Sequence, residues 1–318
     1  MLQGFLKNNK KKVIIILIIS IILMVGASVG NSYRINKLYN KQTVMAKEYL
    51  KSGNYSQAIE YYERALTMKN SDKKSLSIGL AEAYIGNNEY DKALEILRGH
   101  YEIESGNVIK EMIEEVTLKK ADYEYERAIS SGDVYFSNEE YDKAILEYEN
   151  AKKIKSKEVT AYNKIGLSYV NMKSYDLAKE ELLEGLTITN NEELMDALKI
   201  VETYIVEQKH ESIITKAKEF VYQENYEDAI SLFKEGISLL PKDAEGYVGL
   251  AEIYIDQKKY DEAINLLKGA KKLTYNEEIR RILEKALELK EEEEKMKEAL
   301  EELYNTLESE KSRQFQLP

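Results

Sequence analysis

The sequence predicts an all-α protein, with one N-terminal transmembrane helix followed by an α-solenoid, a stack of antiparallel helical pairs. Three observations support this prediction. A short motif, with tyrosine first and alanine fourth, occurs six times, at regular spacings that are typical of a two-helix repeat. The 318 residues include only two prolines, so little interrupts helix formation. A long apolar run near the N-terminus is extensive enough to cross a membrane.

The apolar run, Val13–Val29, has Ser20 and Ser28 as its only polar side chains and follows a basic segment, residues 1–12. As a helix it would span about 25 Å, the lower end of what crosses a bilayer. The preceding lysines favour a cytoplasmic N-terminus, which predicts a single-pass cell-membrane protein with an extracytoplasmic remainder. The alternative is a signal peptide cleaved near Val25–Ala27, which would leave a secreted protein. Residues 30–41 are predicted to continue as a linker helix.

The repeats are predicted to occupy residues 42–275. In each copy a small residue is followed after three positions by an aromatic, after six more by the motif tyrosine, and after seven more by a bulky apolar residue. Small residues let two helices approach closely, and the large side chains fill the remaining space. The motif tyrosines are Tyr55, Tyr90, Tyr141, Tyr175, Tyr226 and Tyr260, and the small residues are Ala46, Ala81, Gly132, Gly166, Ala217 and Ala251.

This pattern resembles the tetratricopeptide repeat (TPR), in which paired helices interlock small residues with large ones. The chain departs from the family pattern because it has no tryptophan, and the proline that usually ends a repeat occurs once, at Pro241. The resemblance implies a scaffold without enzymatic activity. Such a scaffold binds protein or peptide partners in a groove lined by the first helix of each repeat.

The spacing of the motifs predicts a longer module period of about 85 residues. Short intervals, such as Tyr141 to Tyr175, alternate with long ones, such as Tyr175 to Tyr226, so each pair of repeats is followed by an extra segment, giving three modules. A separate extra helix would reverse the up-down alternation of the stack. We therefore predict that each extra segment runs unbroken into the next repeat, forming bridging helices of about 30 residues that join the modules. The predicted N-caps of these segments are Asn107, Asn191 and Asn276.

The third extra segment predicts a C-terminal capping helix at residues 276–311, followed by a frayed tail at residues 312–318. Apolar residues at alternating spacings of three and four continue along it to Leu307, although Glu291–Lys295 interrupts the pattern. A solvated helix that closes the solenoid is the favoured interpretation. A dimerisation or docking element is the alternative.

Composition excludes several classes of function. The formal charge is −11, and residues 1–30 are basic, so the remainder is strongly acidic and a poor candidate for nucleic-acid binding. The chain contains no cysteine and two histidines without metal-ligand spacing, and it has no glycine-rich phosphate loop, so neither cofactor nor metal is predicted. His100 is interpreted as a partly exposed residue at a helix end.

The groove implied by the resemblance would be lined by exposed first-helix positions. Some members of the family grip a terminal carboxylate there with Lys and Asn, and the matching positions here do not form that clamp. The mixed but acidic set suits a basic or amphipathic partner segment. A chaperone-like or secretion-associated module that holds clients is the alternative to a scaffold. The candidate partner-binding residues are Glu82, Asn171, Lys218, Tyr222, Glu252 and Asp256.

Overall fold

The structure, a computed structural model, describes residues 2–68, 72–103 and 106–314. Over these residues the chain forms thirteen α-helices and no β-strand. They are α1 (Leu2–Lys51), α2 (Tyr55–Leu66), α3 (Lys73–Gly86), α4 (Tyr90–Ile103), α5 (Asn107–Ser137), α6 (Tyr141–Ile154), α7 (Val159–Asn171), α8 (Tyr175–Ile188), α9 (Glu192–Tyr222), α10 (Tyr226–Leu239), α11 (Glu245–Asp256), α12 (Tyr260–Leu273) and α13 (Glu277–Gln314).

The chain divides into two compact units. The N-terminal unit comprises Met1–Asn138 with Leu146–Ser156, and the C-terminal unit comprises Glu139–Ile145 with Lys157–Pro318. In the N-terminal unit each helix from α1 to α5 packs against the next, and in the C-terminal unit the same is true from α7 to α13. This nearest-neighbour packing is that of a helical-repeat solenoid, as predicted.

The predicted interlock of small and large residues forms the core. Ala46, Ala81, Ala217 and Ala251 are fully buried. A Cβ added at Gly132 would lie 2.3 Å from the ring of Tyr148, so only glycine allows this approach. The alanine of every motif copy is also fully buried. These alanines are Ala58, Ala93, Ala144, Ala178, Ala229 and Ala263.

The module period is confirmed by the helix boundaries. The second helices α4, α8 and α12 begin at Tyr90, Tyr175 and Tyr260, so their starts are evenly spaced along the chain. The bridging helices α5 and α9 are continuous and contain 31 residues each, as expected. The first half of α9 packs on α8 and its second half packs on α10, so one helix belongs to two successive repeats.

Two of the three predicted N-caps are correct. The Oδ1 of Asn191 accepts a hydrogen bond from the backbone N–H of Leu194 at 3.1 Å, and Asn276 caps the N-terminus of α13 in the same way. The prediction for Asn107 is wrong, because it is already the first helical residue and Gly106 occupies the N-cap in an extended conformation. The module period explains the correction, because it aligns Gly106, not Asn107, with Asn191.

The histidine interpretation also needs correction. His100 is buried, with 8% of its surface exposed, and His210 is buried to a similar degree. His100 lies one and two module periods before Gly185 and Ala270, which are both buried core positions. A side chain at this position therefore points into the stack of helices even when it is polar.

The predicted membrane segment lies within α1, a single helix of 50 residues. Residues 13–29, the predicted linker at 30–41 and the first helix of the first repeat all belong to it. It is long and apolar enough to cross a bilayer, and its most apolar stretch is not buried against the rest of the chain. At the other end α13 continues to Gln314, three residues past the predicted boundary, and residues 315–318 of the predicted tail lie outside the described residues.

Candidate partner-binding groove

A groove of about 420 Å³ lies between three helices of the C-terminal unit, α9, α11 and α13. Its floor is apolar and includes Phe233 from α10 and Val248 and Ile253 from α11, all of them buried. Gly249 completes the floor, because a Cβ at this position would lie 2.3 Å from the Phe233 ring. Glycine at this position therefore lets the α10 aromatic pack directly against α11 at the base of the groove.

The rim of the groove is charged. It carries four carboxylates, from Glu245, Glu252, Asp256 and Glu278, and two lysines, Lys218 and Lys285. The Nζ of Lys218 lies 2.8 Å from Glu245 Oε2, so this cation is already paired within the protein. Among the residues that the structure describes, Glu252 and Asp256 make no hydrogen bond or ion pair through their side chains.

Glu252 and Asp256 are separated by four positions and lie on one face of α11, at the groove. Two free carboxylates above an apolar floor can accept hydrogen bonds from cationic side chains while a neighbouring apolar side chain fills the floor. The arrangement suits recognition of a basic, amphipathic segment. It contains no nucleophile paired with a base, and within the described residues no group of histidine and acidic side chains could hold a metal ion.

Tyr222 stands beside the groove at the end of α9, one turn after Lys218. Its side chain is 92% exposed, an unusual state for a tyrosine in this protein, where the repeat tyrosines are mostly packed. Exposed tyrosines are enriched at protein interfaces because they offer a large contact area at low entropic cost. Three of the six candidate residues, Lys218, Glu252 and Asp256, thus line one groove, and Tyr222 lies one helical turn from Lys218.

The remaining two candidates lie elsewhere. Glu82 belongs to α3 in the N-terminal unit, where it faces Tyr62. Burial, and then the negative charge of Glu82, raise the pKa of the Tyr62 phenol. Asn171 lies at the end of α7, where its Nδ2 donates a hydrogen bond to the Leu167 carbonyl at 2.9 Å, and it does not line the groove.

Sequence reasoning missed the contribution of α13. Glu278 and Lys285 form one wall of the groove, whereas the sequence pattern predicts only a solvated helix that closes the solenoid. The module period contained the missing signal, because it aligns α13 with α5 and α9, which both act as first helices in the next module. By that correspondence, the start of α13 occupies the place of a first helix and must face the groove.

Comparison with protein families identifies tetratricopeptide repeats in two stretches of the chain. Models described as tetratricopeptide or TPR repeats match residues 132–173, 159–192 and 220–289. A model of the fourth ARM domain of tetratricopeptide repeat protein 21 matches residues 43–122. The chain therefore carries TPR repeats within residues 132–192 and 220–289.

One curated relative is the Hsp70-Hsp90 organising protein of Plasmodium falciparum, 29% identical over 147 residues. This match covers 41% of the present chain and 25% of the relative, so it spans about a quarter of that protein's length. Similar solved structures include the TPR domain of P58(IPK), with 15% identity and a TM-score of 0.29 over 80% of this chain and 99% of that one. A TPR protein from Parabacteroides merdae has 16% identity and a TM-score of 0.23 over 79% and 99%.

Proposed function

We propose that this carrier of tetratricopeptide repeats is a scaffold, anchored in a bacterial cell membrane, that docks a protein partner on the extracytoplasmic face. TPR repeats are protein-interaction modules, and the groove of α9, α11 and α13 is the part of the chain best suited to receive a partner segment. The observation that carries the proposal is the pairing of an apolar floor with two unpaired carboxylates, Glu252 and Asp256. These features favour a basic, amphipathic segment.

A binding measurement with the full chain in detergent tests the groove. The probe is a fluorescent amphipathic helical peptide with lysines on its polar face, compared with a peptide in which glutamates replace the lysines. Glu252→Lys/Asp256→Lys should weaken binding of the lysine peptide by roughly tenfold, because two attractive contacts become repulsive. Added salt should reduce the difference between the two peptides.

The chain offers a matched control in Glu82→Lys, at the position two module periods before Glu252 but in the other unit. Glu82→Lys makes the same charge change as Glu252→Lys alone, but outside the groove, and should bind the lysine peptide as the native chain does. Equal weakening by Glu252→Lys and Glu82→Lys would show that net charge alone causes the effect, and it would overturn the assignment of the groove.

The membrane arrangement is supported by the lysines before residue 13 and by the exposure of residues 13–29 along α1. A signal sequence has the same composition, so the two arrangements are separated by experiment. For an anchored protein, protease added to wall-stripped cells should remove the repeats, and the mature protein should keep its N-terminal segment. Protected repeats would contradict the orientation, and a mature N-terminus near Ser28 would establish cleavage.

The second candidate is a chaperone-like module that holds exported clients. It is favoured by the similarity to a protein named as an Hsp70-Hsp90 organising protein. Crosslinking in intact cells followed by purification distinguishes the candidates. A scaffold should yield one partner in fixed stoichiometry, and a client-holding module should yield many unrelated unfolded chains.

A further inference from the structure

The C-terminal half of α13 carries an apolar stripe that nothing in the described chain covers. In the first half of the helix, Ile279, Ile282 and Ala286 are buried against α11 and α12. From residue 294 to residue 311 every position is exposed. The stripe continues there through four side chains that are 55% to 66% exposed, Met296, Leu300, Leu303 and Leu307.

The covered and uncovered halves belong to one heptad pattern. With Ile279 in the first core position, usually called a, and Ile282 in the second, called d, the seam continues through Ala286 and Leu289. Glu293 then takes an a position and interrupts it, and four apolar positions follow, from Met296 at d to Leu307 at a. The stripe that packs inside the C-terminal unit therefore emerges uncovered in the same register.

We propose that this stripe, residues 296–307 of α13, pairs with the same stripe of a second copy of the chain in an antiparallel coiled coil. In an antiparallel pair, a positions face d positions of the partner helix. Met296 would meet Leu307 of the second copy, and Leu300 would meet Leu303 of the second copy. The reciprocal contacts complete four layers related by a two-fold axis, which is the self-complementary geometry of a symmetric dimer.

The distribution of charge favours a second copy over a partner of opposite charge. The positions that flank the seam, e and g of the heptad, hold Lys297, Ala299, Tyr304 and Thr306, with no acidic residue among them. The acidic residues of this segment, Glu298, Glu301 and Glu302, occupy outer positions that face away from the seam. Two copies of this acidic helix can therefore meet along the stripe without like charges at its edges.

Charge also favours the antiparallel direction. A parallel pair in register would place the run Glu291–Glu294 against the same run of the second copy, which is repulsive. An antiparallel pair instead places that run beside residues 309–311 of the other helix, which hold Lys311 as well as Glu310 and therefore repel the run less. Glu293 and Glu310 take the next seam positions on either side, so the interface is limited to four layers.

Cysteine crosslinking tests both the pairing and its direction, because the native chain contains no cysteine. Full-length chains carrying Met296→Cys and Leu307→Cys, each with a different tag, are mixed and oxidised in detergent. We expect a disulfide between the two variants, and little disulfide within the Met296→Cys population. The two Met296 positions of an antiparallel pair lie about 16 Å apart along the helices.

Leu300→Glu/Leu303→Glu in both chains should reduce this crosslink at least tenfold, and it should leave the fold intact because both side chains are exposed. Glu298→Cys, at an outer position, is the matched control and should not crosslink. Dimers formed by Met296→Cys alone would overturn the antiparallel arrangement. Equal crosslinking by Glu298→Cys, or none between the two seam variants, would overturn the self-association. None of these outcomes depends on the groove or on the membrane.

Discussion

At the scale of single residues, the turn inside each repeat depends on one residue with a left-handed backbone. In the first repeat this residue is Gly53, with a φ of 76°, but the other repeats place side chains there. A left-handed conformation costs a residue with a side chain roughly 1–2 kcal/mol. The positions with φ of 57° to 61° are Asn88, Glu139, Lys173, Glu224 and Lys258. Five turns of this protein thus carry strain that glycine would relieve.

Glu224→Gly should therefore stabilise the protein. The relief of strain is partly offset by the greater flexibility of glycine in the unfolded chain, so we expect a gain of about 0.5–1 kcal/mol. Glu235→Gly, in the middle of α10, is the control and should cost about 1 kcal/mol, because glycine is unfavourable inside a helix. Urea unfolding followed by circular dichroism measures both, and a loss of stability in Glu224→Gly would contradict the explanation.

Two buried tyrosines predict a dependence of stability on alkaline pH. Tyr84 and Tyr148 donate hydrogen bonds of 2.7 Å to Glu63 and Asp133. Burial, reinforced by these carboxylates, raises the pKa of both phenols above the ordinary value of 10.0. A raised pKa in the folded state means that the stabilisation is complete below about pH 10 and is lost as the pH rises above it.

The midpoint temperature of thermal unfolding should decrease as the pH is raised from about 9.5 to about 11. Tyr84→Phe and Tyr148→Phe should each make this fall shallower, since the group that must remain protonated is removed. Tyr222→Phe changes a tyrosine that is 92% exposed and should leave the slope as it is in the native chain. Identical slopes in all three variants would show that other groups govern alkaline unfolding.

At the scale of elements, the unbroken course of α9 couples two repeats. Its first half packs on α8 and its second half on α10, so disorder in one half should spread to the other. Glu207→Pro places proline at an exposed position in the middle of the helix, where it removes a hydrogen bond and clashes with the preceding turn. We expect a cost of about 3 kcal/mol or more and a broader or divided unfolding transition.

Gln208→Ala, the neighbouring exposed position, is the control and should unfold like the native chain. Calorimetry of the full chain records the number and width of the transitions. A single transition of native sharpness in Glu207→Pro would mean that the continuity of α9 does not couple the repeats.

At the scale of the whole molecule, the module period predicts which deletions the fold tolerates. Removing one period, residues 106–190, makes α9 follow α4 in place of α5. Asn191, the N-cap of α9, then takes the position of Gly106, the N-cap of α5. Helix direction and the small-large interlock are preserved. This shortened chain should remain helical and unfold cooperatively at a somewhat lower temperature.

A second deletion from the same starting point removes nominally two ordinary repeats, residues 106–173, and joins α4 to α8. Both are second helices of a repeat, so the alternation of helix direction is lost and the chain should fold poorly. Circular dichroism melts of the two deletion variants decide between the module period and a period of two ordinary repeats. Better folding of the chain that lacks residues 106–173 would contradict the module.

The sequence by itself determined the helices, the interlocking positions and the module period. These depend on contacts between neighbouring helices, which repeat with every module and therefore leave a regular pattern of small and large residues, such as Ala229 and Phe233. The tertiary structure alone decided which candidate residues share a groove. Lys218, Glu252 and Lys285 lie far apart in sequence, and only the stacking of three helices brings them together.

The tertiary structure alone likewise decided that the stripe at residues 296–307 of α13 is exposed. The heptad pattern predicts that Ile282 and Leu300 are both apolar seam residues, but it does not show that one is buried and the other 59% exposed. Burial depends on which other helices reach a given face, and that is a property of the assembled stack. The physical reason is that periodicity reports the face a residue occupies, and only packing reports what covers that face.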